Sequence, residues 1–122
     1  MTSENLSIEP LPGTSSDKHV YSLKGPFVLG TMFAIQEVLG SGTVSTILDL
    51  TEVPYMDSAG LGVLTNAYVS HQKHGYRLLL VGVNERLQAL FKLTRLDSLF
   101  EIFPTVESAL RALGSPAQSS VA

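Results

Sequence analysis

Chemistry-bearing residues cluster in one stretch of this sequence, Asp57-Ser58-Ala59-Gly60-Leu61-Gly62, where a carboxylate and a hydroxyl stand side by side ahead of two glycines. Either Asp57 or Ser58 suits the N-cap of a following helix, because a short side-chain oxygen accepts from backbone N–H groups that have no partner inside the helix. Gly60 and Gly62 then fall in the first helical turn, where each costs about 1 kcal/mol relative to alanine. Two such glycines ask for a reason. Close approach of another surface, or of a neighbouring backbone, is the simplest one. The plainer reading is a cap followed by small residues that let the helix pack tightly.

Other constellations are weaker. Asp57 at a strand end invites comparison with aspartate phospho-acceptors, but Leu23-Lys24-Gly25 supplies no acidic pair and Val81-Gly82-Val83 no lysine. His71 and His74, three apart, have a spacing compatible with metal. No third ligand stands nearby in sequence, and His71 continues an apolar stripe, so both read as structural; His19 stands alone. Ser58 lies in D-S-A-G and not in the G-x-S-x-G of serine hydrolases, and neither of those histidines has the context of a general base. Gly25-Pro26 and Gly40-Ser41-Gly42 lack the lysine and spacing of a phosphate-binding loop. With no cysteine in the chain, disulfides and thiolate chemistry are excluded. Neither a cofactor nor a metal is expected.

The elements that must position the turn follow from periodicity. A chain of 122 residues, 44% hydrophobic, has room for one domain with a real core. Charged residues make up 16% and the net charge is −3, with the basic residues scattered, so nothing draws the chain to nucleic acid or an anionic membrane. The polar start MTSENLSIEPLPG does not read as a signal peptide, and no apolar run is long enough to span a membrane. A cytoplasmic location is expected.

Leu6-Ser7-Ile8 and Val20-Tyr21-Ser22-Leu23, separated by Pro10, Pro12 and Gly13, suggest an antiparallel pair at a sheet edge. Val28, Met32, Ile35 and Leu39 recur at helical spacing up to Gly40-Ser41-Gly42. Val44 to Leu50 reads as a strand, and Leu61, Leu64, Tyr68 and His71 share one face of a long helix ending near Gly75. The fully apolar run Leu78-Leu79-Leu80-Val81 fits a central parallel strand covered on both faces. Asn84 is a plausible N-cap for a helix carrying Leu87, Leu90, Phe91 and Thr94. Ile102-Phe103 predicts a short last strand, and Thr105 a cap for a closing helix with Val106, Ala109, Leu110 and Leu113 inward. Strands alternating with helices imply right-handed crossovers and a parallel sheet. The expected fold is α/β, a mostly parallel mixed sheet of four to five strands with about four flanking helices, the N-terminal strand pair antiparallel.

The segment Ile47 to Leu110 is similar to the STAS domain family and, within it, to the bacterial anti-sigma-factor antagonists. The likeness rests on ILDLTEVPYMDSAGLGVL, GYRLLLVGV and LQALFKLTRLDSLFEIFPTVESAL, in that order and spacing, across about half the chain. It implies 18–113 as the STAS domain; patterning sets off residues 1–17 as an N-terminal segment with a candidate edge strand, and the small, polar 114–122 reads as a flexible tail. In the antagonists, the serine of D-S-x-G-L is phosphorylated by a partner kinase that is also the anti-sigma factor. The unphosphorylated form binds that kinase and frees the sigma factor, and a phosphatase resets the system. Carried over, the acceptor falls on Ser58, and Met56, Asp57, Ser58, Ala59, Gly60, Leu61, Gly62 and Val63 form the partner-binding stretch. The implied partners are an anti-sigma factor/serine protein kinase and a serine phosphatase. The chain is then their substrate rather than an enzyme.

A phosphate at a helix N-terminus is favoured by about 0.3–1 kcal/mol when exposed, so it should spare the fold. Its charge of roughly −1.5 to −2 acts instead on whatever docks there. Val63, off the inward stripe, and Met56, in the turn, are candidates for an exposed apolar docking patch, although ordinary burial is the favoured reading of each taken singly. One position departs from the pattern. The first strand-to-helix turn of the antagonists commonly reads G-x-L-D or similar, and here Val28 fills the acid position in Gly25-Pro26-Phe27-Val28. A neighbouring surface acid would favour the switch. A buried Ser58 would favour the rival reading, an unphosphorylated STAS scaffold or accessory subunit of a stress-signalling or transport complex.

Overall fold

Leu78–Val81 is buried at every residue, with Leu78 and Leu80 packed in one apolar layer and Leu79 and Val81 in another. Each such leucine contributes about 2 kcal/mol relative to an exposed one, which is why a four-residue run can anchor the whole sheet. The computed structural model describes residues 6–39 and 44–114. In chain order these form β1 (Ser7–Pro10), β2 (Lys18–Lys24), α1 (Met32–Leu39), β3 (Ser45–Glu52), α2 (Ser58–Lys73), β4 (Leu78–Val81), α3 (Glu85–Leu93), β5 (Glu101–Phe103) and α4 (Val106–Gly114). The sheet order is β1-β2-β3-β4-β5. β1 is antiparallel to β2, with Ser7 opposite Lys24 and Pro10 opposite Tyr21, and every other pair is parallel. The expected α/β mixed sheet is the one observed.

Helices lie on both faces. Ile35 and Leu39 of α1, Leu61 and Leu64 of α2, and Leu87 and Phe91 of α3 pack on Leu23, Leu48, Leu50, Leu78 and Leu80. On the other face, Ala109 of α4, with Val106, Leu110 and Leu113, covers Val20, Ile47, Leu79 and Val81. Arg77, just before β4, ties that layer together: its guanidinium bonds both carboxylate oxygens of Glu101 and donates to the Ala112 carbonyl. Among the described residues no helix is long and apolar enough to cross a membrane.

The helix forecast from Val28 starts later than its spacing implied. Thr31 Oγ1 accepts from Val28 N–H at 3.0 Å and donates to the Pro26 carbonyl at 2.8 Å, so its hydroxyl holds 26–31 as a turn and α1 begins at Met32. The forecast stop at Gly40-Ser41-Gly42 lies outside the described residues, as do 115–122 of the forecast tail; Gly114 closes α4. Asn84 caps α3 as expected, accepting from Leu87 N–H at 2.8 Å. Thr105 does the same for α4, accepting from Ser108 N–H.

Candidate functional site

Three parallel strands, β2, β3 and β4, end at the same edge of the sheet, the place where open α/β sheets gather their function. The turns that follow them are bonded to one another. Beyond the last pair of the β2–β3 ladder, Gly25 N–H donates to Glu52 O, Phe27 N–H to Tyr55 O, and Asp57 N–H to Phe27 O, and Phe27 and Met56 form an isolated parallel bridge. The Asp57-Ser58 turn therefore rests on a continuation of the sheet.

Asp57 is the N-cap of α2 in extended conformation. One carboxylate oxygen accepts from Gly60 N–H at 2.9 Å, and the other reaches across to Leu29 N–H at 3.1 Å in the turn before α1. The Gly60 N–H chiefly, with those of Leu29 and Ala59, holds the Asp57 carboxyl below its ordinary value against the opposing effect of desolvation. Ser58 is the first residue of α2 and is exposed. The first turn of α2 carries no acidic residue of its own. A carboxylate also reaches the turn that contains Val28, because Asp57 accepts from the adjacent Leu29 N–H.

The two glycines have different reasons. A Cβ at Gly60 would lie 2.1 Å from the Phe27 carbonyl oxygen, so the neighbouring turn can approach only because position 60 has no side chain. A Cβ at Gly62 would meet nothing within 4 Å, and Gly62 is exposed. Of the stretch forecast to bind a partner, Asp57, Ser58 and Gly62 are exposed, Ala59 is half-buried, and Met56, Gly60, Leu61 and Val63 are buried.

Met56 and Val63, the candidates for an exposed patch, are buried, only 7% and 6% accessible, which is the ordinary core role weighed beside that candidacy. Met56 belongs to the bridge with Phe27, and Val63 faces the seam between α1 and α2. The exposed apolar side chains beside the turn are instead Leu29 and Phe33. Sequence reading missed them, although their signal was available: neither falls on the Met32, Ile35, Leu39 stripe. Arg86 lies over the Tyr55 ring on the α3 side of the same turn.

The histidines are placed apart. His71 is fully buried, its Nδ1 2.7 Å from the Ala67 carbonyl and its Nε2 2.9 Å from Thr46 Oγ1. A carbonyl only accepts, so Nδ1 carries the hydrogen, and burial pushes the ring's pKa down and keeps it neutral. His74 is exposed, with Nδ1 on the Ser70 carbonyl.

Residues 10–109 match the STAS domain family. The chain is 47% identical over 55 residues to an anti-sigma-B factor antagonist of Listeria monocytogenes, a match covering 45% of this chain and spanning about half, 48%, of that relative. It is 31% identical over 102 residues to an anti-sigma-B factor antagonist of Staphylococcus epidermidis, covering 80% of this chain and 93% of the relative. Among solved structures, an anti-sigma factor antagonist from Mycobacterium paratuberculosis superposes with a TM-score of 0.73 at 26% identity, over 89% of this chain and 96% of that one.

Proposed function

The chain belongs to the STAS domain family, and from that premise we propose that it is an anti-sigma-factor antagonist, a non-catalytic regulator switched by phosphorylation of Ser58. Unphosphorylated, it binds an anti-sigma factor that is also its serine kinase, and so permits sigma-dependent transcription; a serine phosphatase restores this form. The setting of this switch is the cytoplasm.

The observation that carries the reading is the exposed Ser58 hydroxyl at the first position of α2. A kinase needs an accessible hydroxyl, and an unphosphorylated scaffold does not. Asp57 is held ionised beside it, so a phosphate brings the local charge to roughly −2.5 to −3. Both groups face solvent at the positive end of a helix dipole, so the fold tolerates that charge. A partner surface shaped around a neutral hydroxyl does not, since it would have to desolvate the phosphate or repel it. The switch works by excluding the partner and requires no rearrangement of the sheet.

The test is intact-mass analysis of the full chain after incubation with ATP and each purified anti-sigma factor kinase of the source bacterium. One phosphate on the wild type and none on Ser58→Ala is the expected result, with Ser58→Asp binding that kinase at least tenfold more weakly. A phosphate mapped elsewhere, or no modification by any of those kinases, would overturn the reading in favour of a constitutive scaffold.

A further inference from the structure

His71 is the only titratable side chain that is buried among the described residues, and the Ser58 switch makes no use of it. Its ring fastens the last turn of α2 to the start of β3. Nδ1–H donates to the Ala67 carbonyl, so Nε2 turns a lone pair toward the hydroxyl of Thr46, which is itself buried. The chain that follows hangs from the same residue, because the His71 carbonyl accepts from His74 N–H at 3.1 Å and from Tyr76 N–H at 2.8 Å. Arg77 fixes the far end of this stretch. Its N–H donates to Ser45 Oγ, its carbonyl accepts from Thr46 N–H, and its guanidinium is held by Glu101. Between these two fixed points, residues 72–76 are all exposed. A single buried imidazole therefore holds down a strap that solvent already surrounds.

We propose that the His71–Thr46 contact is an acid-operated latch: protonation of His71 releases the last turn of α2 and the 74–76 connection from the start of β3, while the Ser58 end of the helix stays in place. The trigger is charge and not a lost hydrogen bond. Thr46 Oγ1 also lies 3.2 Å from the Val44 carbonyl, so it can turn its hydrogen there and accept from an Nε2–H instead. An imidazolium would keep both bonds and still find no carboxylate. The titratable groups that bear on it are His74 on its own helix and His19 on β2, opposite Thr46, and both repel it when charged. β4 presents Leu78 opposite Thr46, and α1 ends in Leu39, which lines the seam with Ala67. Residues 40–43 contain no titratable side chain. A buried charge without a partner is expelled, and the exposed strap is the part free to move with it. Because burial holds the ring below its ordinary 6.5, the closed form is fully favoured above that value and loses ground as pH falls through it. Ser58 lies thirteen residues up the helix, about 20 Å away, beyond the reach of this change.

Amide hydrogen exchange of the full chain, corrected for the intrinsic pH dependence of exchange, tests the latch between about pH 7.5 and about pH 5.5. In the wild type, protection of the His74, Gly75 and Tyr76 amides should fall roughly tenfold over that range, as one histidine of ordinary pKa in the open form requires. The amides of Leu61 and Leu64, near the Ser58 end, should change by less than about twofold. His71→Gln, which cannot titrate, should leave the His74 to Tyr76 protection independent of pH. Flat wild-type protection, the same fall in His71→Gln, or an equal fall at Leu61 and Leu64 would each overturn the proposal, the last by showing general loosening instead of a latch. Should His71→Gln fail to fold by circular dichroism, an NMR titration of the wild-type imidazoles decides. A His71 midpoint below 6.5 supports the latch, and one at or above 6.5 overturns it.

Discussion

Two helix N-termini of this molecule are built alike and differ in one respect. At α2 and at α3, a short polar side chain just past a parallel strand accepts from a backbone N–H three residues on: Asp57 from Gly60, Asn84 from Leu87. In each case the second polar atom of that side chain bonds the neighbouring turn. Asp57 takes the Leu29 N–H, and Asn84 donates through Nδ2 to the Val53 carbonyl. Three consecutive strand-to-helix turns are thereby joined side by side by two capping residues. The difference lies in the next position. α3 begins with Glu85, a permanent negative charge at the positive end of the helix, whereas α2 begins with Ser58 and has no acid in its first turn. Each terminus thus carries one carboxylate, Asp57 in the cap of α2 and Glu85 after the cap of α3, and at α2 the position after the cap is an exposed hydroxyl instead.

Two chemical choices keep the α2 terminus distinct, and each can be broken. The largest effect is expected at Gly60. Gly60→Ala forces a methyl group into the Phe27 carbonyl and should cost about 3 kcal/mol in urea unfolding, whereas Gly62→Ala, in open space, should stabilise by up to about 1 kcal/mol. Equal effects would mean that the two turns do not approach as described.

Exchanging the caps is the next test. Asp57→Asn places an NH2 against the Leu29 N–H, and Asn84→Asp places a carboxylate oxygen against the Val53 carbonyl. Each keeps the bond to its own helix and loses the one to the neighbouring turn, so each should destabilise by about 1 kcal/mol. A neutral result for either would show that the cross-turn bond contributes nothing.

The smallest effect is on pH. Because the Asp57 carboxyl titrates lower in the folded protein than its ordinary 3.8, its contribution is fully present above that value and is lost as pH falls through the folded one. Wild type should therefore lose more stability than Asp57→Asn on acidification below about pH 4, measured as the shift in Tm. Parallel curves for the two proteins would remove Asp57 from the account of acid sensitivity.

Much of this was legible from residue order alone. Leu78 to Val81 announced a strand covered on both faces, Asn84 and Thr105 announced their caps, and Asp57-Ser58 announced the start of a helix. Each is a local signal, carried by a period of two or four residues or by a side chain that reaches its own backbone. What buries Met56 and Val63 was not legible, because each is covered by a segment distant in sequence, Phe27 in one case and α1 in the other. For the same reason the late start of α1 depended on what the Thr31 hydroxyl bonds.

By itself, then, the sequence determined the α/β order of elements, the place of the Ser58 turn and the pair of glycines that made it conspicuous. Tertiary structure decided what each glycine is for. Gly60 answers to a carbonyl more than thirty residues earlier in the chain, and Gly62 answers to nothing within the described residues. It also decided that the apolar surface next to Ser58 comes from Leu29 and Phe33. Periodicity tells which residues share a face of their own element, but which face is left uncovered depends on how separate elements pack.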